Sequence, residues 1–200
     1  PYFAYPFFEI NKFDTRRLSN LNSVDTLFVA SQWAKKICLQ NGVTAPIFVN
    51  PCGVDTDIFY PNKTQTDKCV FFNCGKWEQR KGHDILLECF NNAFSENDDV
   101  ELWMMCDNPF IGEGNKNWQD LYKNSKLGSK IRIIPRQKTH QDVMSIMRQA
   151  DCGVFPSRAE GWNLELLEMM AMGKHVIATN YSAHTEFCNS ENSKLIDIYN

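Results

Sequence analysis

The sequence predicts an α/β fold in which a doubly wound parallel sheet forms most of the protein. From residue 68 onward, short apolar runs typical of buried strands alternate about five times with longer segments of helical pattern. In residues 152–179, a strand-like run, a polar loop, a helix-forming segment and a β-branched run follow one another. A connection of that length between two strands favours a parallel crossover.

The bulk composition indicates a globular protein and argues against several classes of partner. Of 200 residues, 43% are hydrophobic and 12% aromatic, which is ample for a packed core in one or two domains. The formal net charge of -3 gives no general attraction to nucleic acid. No apolar run approaches the ~18 to 20 residues of a membrane span. We therefore expect no nucleic-acid partner and no transmembrane segment.

The eight cysteines follow no CxxC or His/Cys ligand spacing, and most of them lie in apolar segments. This indicates free buried thiols, so we expect a reduced, cytoplasmic protein without a metal site. The sequons at Asn62 and Asn180 are then expected to be incidental. Because the chain starts at Pro1 and ends directly after a strand-like run, we expect a piece of a longer protein. The missing portion could attach it peripherally to a membrane.

The first part of the chain predicts only part of a domain. Residues 25–30 and 47–50 have the apolar pattern of two buried strands, and a helix capped by Ser31 is expected between them. The aromatic cluster in residues 1–24 is expected to pack in a core, although a stacking surface for bases or sugars is also conceivable. Residues 50–61 carry Pro, Gly and Asp between periodic segments, which predicts a linker.

The next part predicts the first half of the large sheet. Its predicted elements are strands at 69–75, 100–106 and 131–134, helices at 84–94 and 139–149, and an irregular or partly helical stretch at 107–124. Three cations, Lys76, Arg80 and Lys81, crowd the carboxyl end of the first of these strands. Such a cluster is either a solvated basic turn or part of an anion site.

The segment after residue 151 predicts a ligand site. Residues 152–155 are expected to form a strand, and Gly161 is expected to open a helical segment that ends at Gly173. The unpaired amides at the helix start then point into the crevice beyond the strand, where an anion is the natural ligand. Glu160 precedes this helix and Glu168 lies one to two turns inside it. Both could contact one extended ligand, although two glutamates at this spacing are more often solvated surface residues.

The neighbours of these glutamates form an ordered set of motifs. They are PS at 156–157, EGWN at 160–163, LLE at 166–168 and MG at 172–173. The set resembles the retaining glycosyltransferases of the GT-B fold, group 1 (family 4), whose signature is Glu, seven residues, Glu. The linker also resembles this family, in which G-V-D followed by F-x-P joins two Rossmann-like domains. The resemblance implies that residues 1–60 are the tail of an acceptor-side domain with its linker, and that residues 61–200 form the domain that binds the nucleotide-sugar donor.

The resemblance also implies roles for individual residues. Glu160 would contact the transferred sugar, Glu168 the ribose, and Arg136 the region of the base. The other implied donor-binding residues meet the diphosphate or the sugar hydroxyls, and they are Gly75, Lys76, Lys81, Gly161, Trp162, Asn163 and Leu164. Glu160 and Lys81 are the expected catalytic residues, and no cofactor or metal is expected besides the donor. Asn163 stands where Gly is usual in the family but is a good N-cap for the helix, and Glu165 stands where Pro is usual.

The function that this resemblance implies is transfer of a sugar from a nucleoside diphosphate sugar to an unknown glycan, lipid or small-molecule acceptor, with retained configuration. An alternative is a nucleotide-sugar-binding module without turnover, because most of the first domain is absent. A dinucleotide dehydrogenase is a third reading, which is weakened because the GEG at 112–114 lacks the third Gly of a GxGxxG fingerprint. The sugar and the base are left open.

Overall fold

The computed structural model describes residues 1–61 and 67–198, which form two parallel sheets. The sequon at Asn62, predicted to be incidental, lies outside the described residues, as do residues 199–200. Within the described part of the chain, no helix combines the length and the apolar character that crossing a membrane requires.

The smaller sheet has three parallel strands in the order β1-β2-β3. Its elements are β1 (Phe3–Ala4), α1 (Thr15–Asn22), β2 (Thr26–Val29), α2 (Gln32–Gln40) and β3 (Ile47–Val49). The two predicted strands and the helix between them are confirmed, and the Ser31 side chain caps α2 by accepting from the Ala34 N–H at 3.1 Å. The sequence did not predict β1 and α1, because β1 has only two residues and the side chains of α1 are all at least partly exposed.

The amino-terminal aromatic cluster packs less completely than predicted. Phe8 joins the core of the small sheet, with its ring centroid 5.8 Å from that of Trp33. Tyr2, Phe3 and Phe7 instead stay 78%, 64% and 52% exposed. These three residues lie in or near β1, an edge strand whose outer side is paired with no other strand among the described residues. An edge strand cannot enclose its aromatic side chains by itself.

The larger sheet has six parallel strands in the order β6-β5-β4-β7-β8-β9. The strands are β4 (Cys69–Gly75), β5 (Val100–Cys106), β6 (Ile131–Ile133), β7 (Cys152–Phe155), β8 (His175–Thr179) and β9 (Lys194–Ile196). The helices are α3 (His83–Ala93), α4 (Gly114–Lys123), α5 (His140–Met147) and α6 (Leu164–Ala171). Short 3-10 turns lie at Gln79–Lys81, Gly128–Lys130 and Ser182–Glu186.

Helices cover both faces of this sheet. Leu102 and Met104 of β5 pack in a core with side chains of α3 and α4, whereas Trp103 and Met105 pack in a second core with α5 and α6. Alternate residues of a strand point to opposite faces, so β5 is buried on both sides and its sequence is an almost unbroken apolar run. The predicted doubly wound parallel sheet is confirmed.

One helix lies where a partly helical stretch was expected, and another begins later than predicted. The stretch at 107–124, expected to be irregular or partly helical, contains α4. Helix α6 begins at Leu164 and not at Gly161, because Asn163 has a left-handed backbone with φ 90° and caps the helix with its side chain. It ends before Gly173, whose φ of 68° cannot continue a right-handed helix.

The strand order reverses between β4 and β7. From β4 the chain runs outward to β5 and β6, and then returns to place β7 on the other side of β4. Doubly wound sheets bind their ligands beyond the carboxyl ends of the strands at such a reversal. The β4–α3 loop (residues 76–82) and the β7–α6 loop (residues 156–163) both begin there.

The turn at Ser182–Glu186, which follows β8 of the larger sheet, contacts helix α2 beside the smaller sheet. The Glu186 Oε2 accepts a hydrogen bond of 2.7 Å from the Gln32 N–H at the start of α2. A carboxylate at this end of a helix also complements the helix dipole. The predicted division of the chain into residues 1–60 and 61–200 stays a prediction.

Candidate functional site

The β4–α3 and β7–α6 loops touch each other at the reversal of strand order. Gly82 has φ +74°, and a Cβ added to it would lie 2.1 Å from the carbonyl oxygen of Pro156. The Arg158 N–H donates to the Arg80 carbonyl at 2.8 Å, and the Arg158 guanidinium pairs with Asp84 at 2.8 Å. These contacts make the two loops one continuous wall of the crevice.

Two adjoining cavities open at this crevice, and both are lined by Lys76, Leu164 and Glu165. The larger cavity has a volume of about 590 Å³, and its lining includes Gly75, Arg136 and Glu168. The smaller cavity has a volume of about 380 Å³, and its lining includes Lys81, Glu160, Gly161, Trp162 and Asn163. Every residue that the sequence predicted to bind a donor therefore lines one of the two cavities, while the role of each stays a prediction.

Glu160 is the most constrained acidic group of the site. Its side chain is almost fully buried, with Oε1 2.9 Å from the Lys81 Nζ and Oε2 2.9 Å from the Arg80 Nη1. The Ser157 hydroxyl donates to Oε1 at 2.7 Å. Burial alone would raise the pKa of Glu160, but the charges of Lys81 and Arg80 outweigh it, and the pKa is lowered. Glu160 is thus a carboxylate whose charge is already neutralised.

Lys81 is buried against the end of β4. A Cβ added to Gly75, which has φ +146°, would lie 3.2 Å from the Lys81 Cε, so glycine leaves room for the lysine stem. Burial would lower the pKa of Lys81, but Glu160 and then Glu165 outweigh it, and the pKa is raised. The ammonium therefore stays charged at the edge of the smaller cavity.

Arg80 was noted in the sequence as one of three cations but was left out of the predicted donor site. Its Nη1 donates to the Ala159 carbonyl at 2.8 Å as well as to Glu160, and it lies 3.8 Å from the Glu9 carboxylate. Glu9 belongs to the small-sheet part of the chain and lines the smaller cavity. The sequence carries no local signal for Glu9, because its partner lies far along the chain. Ser157 could have been found from its position three residues before Glu160.

Glu168 lies on α6 and lines the larger cavity. Burial, and then the negative charge of Glu165, raises the pKa of Glu168 to about 7. The two glutamates of the motif therefore differ in chemistry: Glu160 is fixed as an anion by two cations, whereas Glu168 can be neutral or charged near physiological pH. A neutral carboxyl can donate as well as accept a hydrogen bond.

Lys76 stands at the boundary of the two cavities. It is exposed, and its Nζ lies 4.9 Å from the centroid of the Phe110 ring, which is itself 78% exposed. This contact is within the range of a cation–π interaction. Arg136 is likewise exposed and lines only the larger cavity. The cations of the crevice are therefore of two kinds, a pair bound to Glu160 and exposed ones that a ligand can reach without disturbing that pair.

The start of α6 also faces both cavities through Leu164 and Glu165. The predicted cap is confirmed: the Asn163 Oδ1 accepts from the Leu166 N–H at 3.2 Å. The amides at the very start of a helix have no partner within the helix and favour an anion. Among the described residues, no group of three or more His, Cys, Asp or Glu side chains is arranged to hold a metal ion.

The amino-acid sequence is similar to a known family and to known proteins. The family model for Glycosyl transferases group 1 matches residues 68–198. A protein that carries the name glycosyltransferase 45, from the Sulfolobus islandicus filamentous virus, is 25% identical over 170 residues. That alignment covers 82% of this chain and 44% of the viral protein. The chain thus spans less than half the length of this relative.

The fold is similar to those of solved structures. A glycosyltransferase from Rickettsia africae ESF-5 aligns with 99% of this chain and 56% of its own, at a TM-score of 0.81 and 21% identity. HepE of Anabaena, solved in complex with UDP and glucose, aligns with 98% of this chain and 57% of its own, at a TM-score of 0.79 and 17% identity. At these identities the likeness concerns the fold, and it extends over both sheets.

Proposed function

Because the chain belongs to the family Glycosyl transferases group 1, we propose that its crevice binds a nucleoside diphosphate sugar and serves transfer of the sugar to an acceptor. The observation that carries the proposal is the pair of cavities that meet at Lys76, Leu164 and Glu165. A donor of this class has three parts in a row, a nucleoside, a diphosphate and a sugar. Two cavities that meet at Lys76 and at the start of α6 match that order.

We assign the nucleoside to the larger cavity and the sugar to the smaller one. In the larger cavity, Glu168 is proposed to bind the ribose and Arg136 to lie near the base. Lys76 and the first amides of α6 at the boundary, with Lys81 at the edge of the smaller cavity, would neutralise the diphosphate. In the smaller cavity, Glu160 would bind a sugar hydroxyl, and Gly161, Trp162 and Asn163 would line the sugar's other side.

The chemistry proposed is displacement with retained configuration. The acceptor oxygen bonds to the anomeric carbon on the face from which the diphosphate leaves, and a diphosphate oxygen takes the acceptor's proton. The protein then contributes positioning and electrostatic stabilisation of the leaving group. Glu160 is a weak base in this setting, because Lys81 and Arg80 lower its pKa. We therefore propose Glu160 as a group that positions the sugar, and Lys81 as a cation that stabilises the departing diphosphate.

The second candidate is binding without turnover by this 200-residue chain alone. The chain spans 44% of the viral relative, and its smaller sheet has only three strands among the described residues. An acceptor site that needs further strands would be incomplete here. Turnover of UDP-glucose by the chain and by a longer product of the same gene distinguishes the two candidates. Equal turnover by both would refute the binding-only candidate.

The chain is also proposed to work in a reducing compartment such as the cytoplasm. All eight cysteines are free thiols, and four of them are buried. Burial raises the pKa of Cys38, Cys152 and Cys188 to about 11, so these thiols are poorly reactive at neutral pH. This supports the sequence-based expectation of a reduced protein.

Calorimetric titration tests the proposed function. The ligands are UDP, UDP-glucose, GDP, GDP-mannose and NAD. NAD also contains a diphosphate, and it tests the alternative that the protein is a dinucleotide dehydrogenase. UDP is the first choice because HepE was solved with UDP and glucose. We expect at least one nucleoside diphosphate and its sugar to bind, and NAD to bind more weakly. Binding of NAD alone, or of none of these ligands at millimolar concentration, would overturn the proposal.

A further inference from the structure

The Ser182–Glu186 turn holds the β7–α6 loop at two points. The Ser182 Oγ accepts from the Glu160 N–H at 2.8 Å, and the Ala183 N–H donates to the Glu160 carbonyl at 3.3 Å. At the other end of the loop, the His184 Nε2 lies 2.9 Å from the Asn163 Nδ2. The first contacts fix the residue that precedes the loop's glycine, and the last contact fixes the residue that caps α6.

The partners of His184 define which of its nitrogens carries the proton. Its Nδ1 lies 3.1 Å from the Thr179 carbonyl oxygen, which can only accept, so Nδ1 is the donor. The neutral ring then offers a lone pair at Nε2, which accepts from the Asn163 amide. Both residues are buried, with 1% of His184 and 5% of Asn163 exposed. Burial lowers the pKa of His184, in agreement with a neutral ring.

The same contacts define the orientation of the Asn163 side chain. Its Oδ1 must face the Leu166 N–H, which donates to it, and its Nδ2 must face the His184 lone pair. Asn163 needs such support, because its backbone has φ 90° and ψ 78°, a region that costs a non-glycine residue free energy. A glycine would adopt this backbone without support. The chain instead combines a strained asparagine with a histidine that accepts its amide.

We propose that His184 is a positioning residue of the donor site, which holds Asn163 in its left-handed conformation and so aims the first amides of α6 into the crevice. This inference rests on the proposed function, because the anion that those amides would bind is the donor's diphosphate. His184 lines neither of the two cavities and touches the ligand in no step. A residue that only fills the core would be expected to stabilise the fold without any preference for the residue at position 163.

A double-mutant cycle distinguishes a His184 that positions Asn163 from a His184 that only fills the core. The variants are His184→Leu, Asn163→Gly and the double variant, and the readouts are the Kd for UDP by calorimetry and the amide chemical shifts of Leu164 and Glu165 without ligand. In the wild-type background, His184→Leu is expected to weaken UDP binding by about tenfold and to move both amide signals, since contacting residues couple at this order. In the Asn163→Gly background, the same substitution is expected to change neither readout appreciably, because glycine holds the backbone without the histidine.

Equal effects of His184→Leu in both backgrounds would overturn the proposal and leave His184 as a core residue. If His184→Leu does not fold, a comparison of Asn163→Ala with Asn163→Gly takes its place. Alanine keeps the Cβ strain but cannot bond to His184, so it should bind UDP more weakly than the glycine variant. Equal binding by these two variants would also overturn the proposal. Failure of the wild-type chain to bind any of the nucleoside diphosphates or their sugars would instead count against the proposed function, while the amide shifts would still test the positioning role.

Discussion

Replacing Glu160 by glutamine tests the electrostatic core of the site. Glu160→Gln keeps the size of the side chain and removes its charge, which leaves Lys81 without its closest anion. The Lys81 side chain is only 9% exposed, so water cannot take over that role. Removing one partner of a buried ion pair costs about 3–5 kcal/mol.

The lower end of that range is expected here. Arg80 is 27% exposed and keeps Glu78 at 3.3 Å and Glu9 at 3.8 Å, and Lys81 keeps the charge of Glu165 nearby. A loss of about 3 kcal/mol in the free energy of unfolding corresponds to a melting temperature that is lower by roughly 6–12 °C for a chain of this size. Urea and thermal unfolding both measure this difference.

UDP and UDP-glucose should differ in how well they bind the Glu160→Gln variant. The diphosphate of UDP can supply the negative charge that Lys81 has lost, so we expect UDP to bind Glu160→Gln as well as it binds the wild type, or better. UDP-glucose should lose the part of its affinity that comes from the sugar. A UDP concentration of about 100 times Kd would restore about 2.7 kcal/mol of stability.

The matched control is Glu78→Gln, which removes a carboxylate from Arg80 but none from Lys81. It should lower the free energy of unfolding by less than about 1 kcal/mol, because a partly exposed ion pair contributes little to stability. The reasoning is refuted if Glu160→Gln is no less stable than Glu78→Gln. The assignment of the sugar to Glu160 is wrong if the variant loses affinity for UDP as strongly as for UDP-glucose.

Three further predictions concern the neighbouring groups. The raised pKa of Glu168, about 7, means that the unfolded chain releases this proton at lower pH than the folded chain does. As the pH rises from about 4.5 to 7, the free energy of unfolding of the wild type should therefore fall by up to ~3 kcal/mol relative to that of Glu168→Gln. Urea midpoints of the two proteins that keep a constant difference over this pH range would contradict this prediction. Gly75→Ala should displace Lys81 and lower both stability and UDP affinity. The control is Gly53→Ala, whose Cβ would meet nothing within 4 Å and which should change neither property. Equal effects of the two substitutions would show that Gly75 does not make room for Lys81. UDP affinity should stay within about twofold when a chelator is added, because lysines can neutralise the diphosphate, and a fall of about tenfold, ~1.4 kcal/mol, would show that a metal is required.

The sequence could predict the strands and the crevice because both depend on local patterns. Apolar runs such as residues 100–106 identify buried strands, and Gly75 at the end of β4 and Pro156 directly after β7 mark the carboxyl ends of those two strands. Once the sheet is parallel, those ends meet at one edge, so Lys81 and Glu160 had to lie near each other. The same reasoning gave Asn163 as a helix cap, because asparagine favours that position.

The pairings within the site could not be predicted from the sequence, because they join distant parts of the chain. Arg80 and Glu160 are 80 residues apart, and the choice of Arg80 as the second partner depends on how the two loops cross. Glu9 reaches the same arginine from the small sheet. His184 is likewise buried against a distant residue, because the turn after β8 packs against Asn163.

The pairing of β4 with β7 has a consequence for how the protein folds. Contacts between these strands join residues 81 apart, so they close the largest loop of the larger sheet and are expected to form late. The crevice lies between these two strands and does not exist until they meet. A folding chain should thus acquire its affinity for UDP in the same step that completes the sheet. Ligand binding during refolding would then report the moment at which β4 and β7 pair.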